Sequence, residues 1–145
     1  MTDIISGHFT VDHHGCDRLL AACEAAIAAT DWNAVDEKTT VFRDALLHHS
    51  ALEEEVLFPE LEQANPGAGG PTCVMRMEHH QMRQLLDEPA AAVRTRDRDT
   101  CRGDLETLHM LSRQHSAKEE GTLHPLADRA LQENAESLIQ RFRES

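Results

Sequence analysis

The sequence HSALEEEVLFP, at residues 49–59, places a histidine and a glutamate four positions apart. On a helix, His49 and Glu53 lie one turn apart on one face and can reach the same point in space. The residues at helical spacing before them, Ala45 and Phe42, are apolar, which indicates that this face meets the core. Buried polar groups cost free energy unless they are paired or bind a metal ion. The His-xxx-Glu pair therefore needs a partner inside the fold.

The stretch occurs a second time, as HSAKEEGTLHP at residues 115–125. The offset between the copies is 66 residues, since 115 minus 49 is 66. The same offset relates other residues of the two halves: His13 and His14 to His79 and His80, Asp12 to Glu78, and Phe42 to Leu108. This internal repeat predicts a single all-α domain over residues 1–145, built from two helical hairpins at about residues 9–64 and 72–128. Each hairpin carries one histidine on its first helix and a His-xxx-Glu pair on its second.

Cap residues give the expected start of the first hairpin. We expect residues 1–7 to form a loose arm and the first helix to begin near Thr10 or Asp12, since both are acceptable N-caps. A turn should follow, with Asp31 or Asn33 as the cap of the second helix.

Proline and glycine give the remaining boundaries. Pro59 is expected to kink or thin the end of the second helix, because it has no N–H to donate. The segment NPGAGGP, residues 65–71, is predicted to be a loop, with the third helix starting at about Thr72. We expect Pro89 to break or bend that helix, and residues 131–142 to form a short terminal helix.

Composition limits the classes of partner. The chain of 145 residues has a formal net charge of −12, ten histidines and no tyrosine. Such a charge argues against binding to nucleic acid or to an anionic membrane surface. The N-terminal sequence MTDIISGHF has neither a basic region nor a long apolar run, so we expect no signal peptide, no membrane span and a cytoplasmic location.

The four cysteines, Cys16, Cys23, Cys73 and Cys101, form no CxxC pair. A structural zinc site or a disulfide framework is therefore poorly supported. Each is expected to be buried as a small apolar residue.

Three histidine doublets require a choice of the inward residue. His13, His49 and His79 each lie on an apolar stripe with helical spacing, and are the predicted inward members. Their neighbours are expected to face away from the core: His14, His48 and His80.

Six residues then point inward from four helices: His13, His49, Glu53, His79, His115 and Glu119. A single histidine on an apolar face is more often a satisfied core residue than a ligand, but six converging polar residues are costly to bury without a cation. Two His-xxx-Glu pairs in a helical bundle suit two metal ions. Imidazole and carboxylate without thiolate suit iron, and also manganese or zinc. If both glutamates bridge the ions, positions stay open for water, oxide or a small ligand.

The strings DHHGCDRLL, HHSALEEEVLFP, MEHHQMRQLL and HSAKEEGTLHP resemble the four helix motifs of the hemerythrin-like, HHE cation-binding family, and together they span most of residues 9–126. The resemblance implies an up-down-up-down four-helix bundle with a non-haem di-iron centre, its two iron ions joined by an oxo, hydroxo or water bridge. Carried over by position, it implies the metal ligands His13, His49, Glu53, His79, His115 and Glu119.

The sequence departs from the oxygen-carrying members of that family. Those proteins have a further histidine on the third helix and an aspartate on the fourth, whereas this chain has Met75 and Arg83 four positions to either side of His79, and Glu119 on the fourth. The four-His, two-Glu set is similar to that of bacterial relatives linked to nitric oxide and oxidative stress. Family members often have tyrosine at the position of His124.

The leading hypothesis is a stand-alone di-iron protein that binds or senses O2, NO or peroxide. A second is a di-iron enzyme that reduces peroxide or NO, with Cys16 or His124 as proton donor and an electron-donor protein as partner. A third is iron handling, including repair of damaged iron centres. The alternative without metal is a helical adaptor, which leaves the buried polar residues unexplained.

Overall fold

The computed structural model describes residues 4–145, apart from the side chains of residues 88–90, and this part of the chain is helical without a strand. Seven α-helices are joined by turns: α1 (Ile4–Ala28), α2 (Trp32–Leu52), α3 (Phe58–Ala64), α4 (Gly69–Thr95), α5 (Arg98–Lys118), α6 (His124–Ala130) and α7 (Ala135–Glu144). The all-α prediction is confirmed.

The same turn joins the long helices in both halves of the chain. Thr30 and Arg96 adopt positive φ angles of 54° and 56°. The next residues, Asp31 and Asp97, cap α2 and α5 by accepting a hydrogen bond from the backbone N–H three residues on. A left-handed residue followed by an aspartate cap therefore reverses the chain twice.

Each His-xxx-Glu helix continues into a π-helical turn that begins at its glutamate: Glu53–Leu57 after α2 and Glu119–Leu123 after α5. The N–H groups of Phe58 and His124 donate to the carbonyls of these two glutamates, five residues back. A proline follows directly in the first turn of α3 and of α6. The expected distortion near Pro59 is this π-helical turn, a feature often found at functional sites.

The buried histidines and glutamates lie in a layer between two apolar clusters. The first cluster includes Phe9, Leu57, Phe58 and Leu123, and the second includes Cys16, Leu20, Leu46 and Leu108. On α1, His13 stands between Phe9 of the first cluster and Cys16 of the second. On α5 and the turn after it, His115 stands between Leu108 of the second cluster and Leu123 of the first. Helix α1 packs against α2 and α5, and α4 packs against the same two helices. The four long helices therefore surround one polar layer.

The prediction for the start of α1 is wrong. The helix begins at Ile4, so residues 4–7 belong to it and only residues 1–3 of the expected arm lie outside the described residues. The cap comes from α6, where the Asp128 carboxylate accepts hydrogen bonds from the N–H groups of Ile5, at 2.9 Å, and Ser6, at 3.1 Å. A cap from a residue so distant in the sequence leaves no local pattern.

Three further boundaries differ from expectation. The segment predicted as a loop at residues 65–71 contains a 3-10 turn, Pro66–Ala68, and α4 already begins at Gly69. Helix α4 then continues to Thr95, so Pro89 does not end it. A terminal helix forms as predicted and buries Leu138, Ile139 and Phe142, but α7 begins at Ala135 and not at residue 131, because a 3-10 turn at Gln132–Asn134 precedes it. Within residues 4–145, no helix has the length and hydropathy that a membrane crossing needs.

Candidate metal centre

The structure brings all six predicted ligands together in the buried polar layer. Their ligand atoms form two groups, within each of which all atoms lie inside 4.8 Å of one another. The groups are Glu53, His79, His115 and Glu119, and His13, His49 and Glu119. Both groups consist of buried residues only.

The four histidines form two pairs. The rings of His13 and His49 have their centroids 4.7 Å apart, and so do the rings of His79 and His115. The first pair joins α1 to α2, and the second joins α4 to α5. The repeat in the sequence thus becomes two equivalent half-sites.

Each glutamate lies between the two half-sites. Oε1 of Glu53 is 2.9 Å from Nε2 of His49 and 3.3 Å from Nε2 of His79. Oε1 of Glu119 is 3.0 Å from Nε2 of His13 and 3.3 Å from Nε2 of His115. Both carboxylates can therefore serve both histidine pairs.

Many of these short contacts are not hydrogen bonds. Among the described residues, no hydrogen-bond partner is found for Nε2 of His49, His79 and His115, for Oε1 of Glu53 or for Oε2 of Glu119. The distances are short, but the angles that a hydrogen bond needs are absent. An unsatisfied buried polar atom costs about 1–3 kcal/mol. Nitrogen and carboxylate donors that converge without bonding to one another fit a metal cation between them.

A second set of acids orients the histidines. Nδ1 of each ring faces a carboxylate: His13 faces Glu120 at 2.9 Å, His49 faces Asp12 at 2.7 Å, His115 faces Glu78 at 2.8 Å, and His79 faces Glu54 at 3.5 Å. The three contacts of 2.7–2.9 Å are hydrogen bonds, which fix the ring orientation and direct the other nitrogen, Nε2, to a metal. Nδ1 of His79 has no hydrogen-bond partner among the described residues, so Glu54 offers this ring only a nearby negative charge. Helical spacing alone predicts no role for these four acids, although Asp12 and Glu78, and likewise Glu54 and Glu120, recur at the repeat offset.

The electrostatics of the cluster also favour a cation. Burial opposes the charged form of His49, but the carboxylates of Glu53 and Asp12 outweigh it and raise the pKa of His49 well above its usual value. Burial likewise opposes ionisation of Glu119, yet its close contacts, first with the Glu53 carboxyl and then with the surrounding histidine rings, hold the pKa of Glu119 well below its usual value. The buried carboxylates therefore require positive charge beside them, from protons or from metal ions.

The doublet predictions agree with the burial pattern. His13, His49 and His79 are buried. Their neighbours in the sequence are exposed: His14, His48 and His80. The expectation of buried cysteines holds for Cys16, Cys23 and Cys101 but is wrong for Cys73, which is exposed on α4. All four thiols are free in the described part of the chain.

His124 is a buried residue of the site that the repeat does not predict. Its side chain is fully buried, and Nε2 lies 2.9 Å from Oε2 of Glu53. The residue at the equivalent position of the first half is Phe58. A comparison of the two copies therefore predicts an apolar residue here, and only the structure gives His124 its contact with Glu53.

A cavity of about 10 Å³ adjoins the histidine rings, enough for roughly one water-sized molecule. Beyond the histidines, its wall includes Cys16, Met82, Ser50 and Ser112. Only a very small ligand fits beside the centre in this conformation.

Comparison with known proteins gives one match. The family model described as hemerythrin HHE cation binding domain matches residues 5–127. No curated protein and no solved structure matches the chain.

Proposed function

Because this chain belongs to the hemerythrin HHE cation-binding domain family, we propose that it holds two iron ions and uses them to bind or sense O2, NO or peroxide. One observation carries the proposal: two histidine pairs share two carboxylates, and five buried donor atoms of this cluster converge with no hydrogen-bond partner among the described residues. In this proposal His13 and His49 would hold one ion and His79 and His115 the other. Glu53 and Glu119 would supply carboxylate oxygens to both half-sites.

The donor set supports iron. Imidazole and carboxylate ligands without thiolate suit iron, and also manganese or zinc. Ligand pairs from facing helices are the arrangement in which helical bundles hold two ions. When bound, the metal pair supplies open coordination positions and positive charge that attract a small oxygen or nitrogen ligand.

The fold proposed for this centre is one domain of two repeated hairpins whose four long helices alternate in direction. The order of the apolar clusters along the helices supports it. Helices α1 and α4 run from the cluster that contains Phe9 and Met75 to the cluster that contains Leu20 and Leu86. Helix α2 runs in the opposite direction, since Leu46 belongs to the cluster of Leu20 and Leu52 to the cluster of Phe9. Helix α5 runs in the same direction as α2. Such alternation brings all four histidines to one level.

The small cavity supports a diatomic molecule or peroxide as the ligand. It adjoins both histidine pairs and has room for roughly one water-sized molecule. A larger substrate would require the helices to move apart, and close-packed helices resist such movement.

Reduction of peroxide or NO is the second candidate, and Cys16 is the observation in its favour. This thiol lines the cavity beside the histidines. Burial raises the pKa of the Cys16 thiol above its usual value, so it keeps its proton at neutral pH. In this role Cys16 would give its proton to a ligand held in the cavity, while electrons would come from a partner protein.

Metal analysis and ligand titration test both candidates. Protein purified from cells supplied with iron should contain two iron atoms per chain. Adding O2 or NO to protein that has been reduced and kept free of oxygen should change its visible spectrum. No spectral change with either gas refutes the binding role. Steady-state consumption of peroxide or NO with a reductant present would favour the enzyme, and binding without turnover would favour the sensor.

A further inference from the structure

The two half-sites have the same types of ligand, but the ring that packs against one histidine of each half-site differs. Phe58 stacks on His79, with the ring centroids 5.9 Å apart and an interplanar angle of 6°. His124, its counterpart in the second half, stacks on His13 at 5.6 Å and 27°. The two residues therefore pack against equivalent histidines, but only one of them carries polar atoms.

The polar atoms of His124 reach one glutamate and not the other. Nε2 of His124 donates a hydrogen bond of 2.9 Å to Oε2 of Glu53, because a carboxylate oxygen can only accept. The same nitrogen is 3.8 Å from Oε2 of Glu119, beyond hydrogen-bond distance. For Oε2 of Glu119, the described residues offer no hydrogen-bond partner. Phe58, which stands in the equivalent place, has no atom to donate.

The ring of His124 is held firmly in this orientation. Phe9 stacks on it with centroids 4.8 Å apart at an interplanar angle of 22°, and the ring of His13 stacks with it as well. Its other nitrogen, Nδ1, finds no partner among the described residues. A buried imidazole with one unsatisfied nitrogen is less favourable than the phenylalanine at the equivalent position. The bond to Glu53 is the interaction that offsets this cost.

We infer that His124 is a positioning residue that makes the two bridging glutamates inequivalent. In each glutamate, Oε1 lies among the histidine Nε2 atoms, so the contrast is between the two Oε2 atoms. His124 fixes Oε2 of Glu53 by a hydrogen bond. Oε2 of Glu119 has no such bond among the described residues, so it can change its contacts when a small molecule enters the site. This inference rests on the proposed metal centre. It identifies Glu119, in the second half of the repeat, as the carboxylate whose contacts can change. The two ions consequently have different surroundings despite the equivalent histidine pairs.

Mössbauer spectroscopy of protein loaded with 57Fe tests the inference without any activity measurement. The wild-type protein should give two distinct quadrupole doublets of equal area. His124→Phe gives the second half the phenylalanine that the first half has at Phe58. This variant should keep two irons per chain, while the quadrupole splittings of the two Mössbauer doublets should become more alike. His124→Gln retains an N–H donor and should restore the separation.

Phe58→His is a second, independent variant. It offers Glu119 the donor that Glu53 already has, so the doublets should again move together with both irons retained. This variant keeps the inference testable if His124→Phe fails to fold, as judged by circular dichroism.

Three results would overturn the inference. Two irons with an unchanged pair of doublets in His124→Phe or in Phe58→His would show that the contact does not distinguish the ions. Loss of one iron from His124→Phe would make His124 a ligand and not a positioning residue. Absence of iron from the wild-type protein would remove the proposed function itself, and the iron count separates that result from the first.

Discussion

The carboxylate of Asp12 accepts a hydrogen bond of 2.7 Å from Nδ1 of His49. When the ring is neutral, as a metal ligand must be, Nδ1 carries the proton of this bond and the lone pair lies on Nε2, which points into the polar layer toward Glu53. The second half repeats the arrangement, with Glu78 accepting from His115 at 2.8 Å. The contact therefore selects the ring tautomer that can bind a metal ion.

Replacing Asp12 by asparagine should weaken metal binding without abolishing it. The amide removes the negative charge that orients His49, and the loss of such a partner typically lowers metal affinity about 10- to 100-fold. Competition with a chelator of known affinity measures the change.

Asp17→Asn is the matched control, because Asp17 is an exposed acid on the same helix. It should leave the affinity unchanged. Equal affinities for the Asp12 and Asp17 variants would contradict a role for the Asp12 contact.

Replacing either shared glutamate should lower the iron content more than replacing any one of the acids that face the Nδ1 atoms of the histidines. Glu53 and Glu119 each contact both histidine pairs, so Glu53→Ala or Glu119→Ala should reduce the iron content of both half-sites. Glu55→Ala is the control, since Glu55 lies two residues from Glu53 and is exposed. Atomic absorption of the purified variants gives the iron content. Two irons retained in Glu119→Ala would show that this carboxylate is not a shared ligand.

The histidine doublets supply matched pairs of variants. His49→Ala should lose iron because its side chain is buried among the donors, whereas His48→Ala should keep it because His48 is exposed. The same contrast should hold for His13 against His14 and for His79 against His80. A large iron loss in any exposed member would mean that the wrong residue of that doublet was chosen.

Helical spacing predicted the inward histidines because burial on a helix follows the position of a residue in the turn. Such spacing contains no information on contacts between distant segments. The cap of α1 by Asp128 was missed for that reason, and so was the contact of Glu120 with His13. Cys73 is different: Thr72 and Met75 beside it form the buried face of α4, so the pattern already places Cys73 on the outer face.

Thiol labelling of the native protein should modify Cys73 first. Cys73 is exposed, whereas Cys16, Cys23 and Cys101 are buried. Burial raises the pKa of the Cys23 thiol to about 12, which leaves almost no reactive thiolate at pH 8. Reaction with a chromogenic disulfide should give one equivalent quickly and four after denaturation. Cys73→Ser should remove the fast phase, and a fast phase that persists would show that another thiol becomes accessible.

Metal removal should lower the stability of the fold, because the ions bind the folded bundle and their loss leaves buried donors unsatisfied. At a free metal concentration of 100 times Kd, binding stabilises the folded state by about 2.7 kcal/mol, equivalent to roughly 5–10 °C in Tm for a chain of this size. Calorimetry of the iron-loaded protein before and after chelation measures this difference. Glu119→Ala supplies the control, since a variant that has lost its metal should show no further fall in Tm when chelator is added. An equal Tm for the loaded and chelated wild-type protein would mean that the cluster is stable without a cation, and the metal-binding assignment would fail with it.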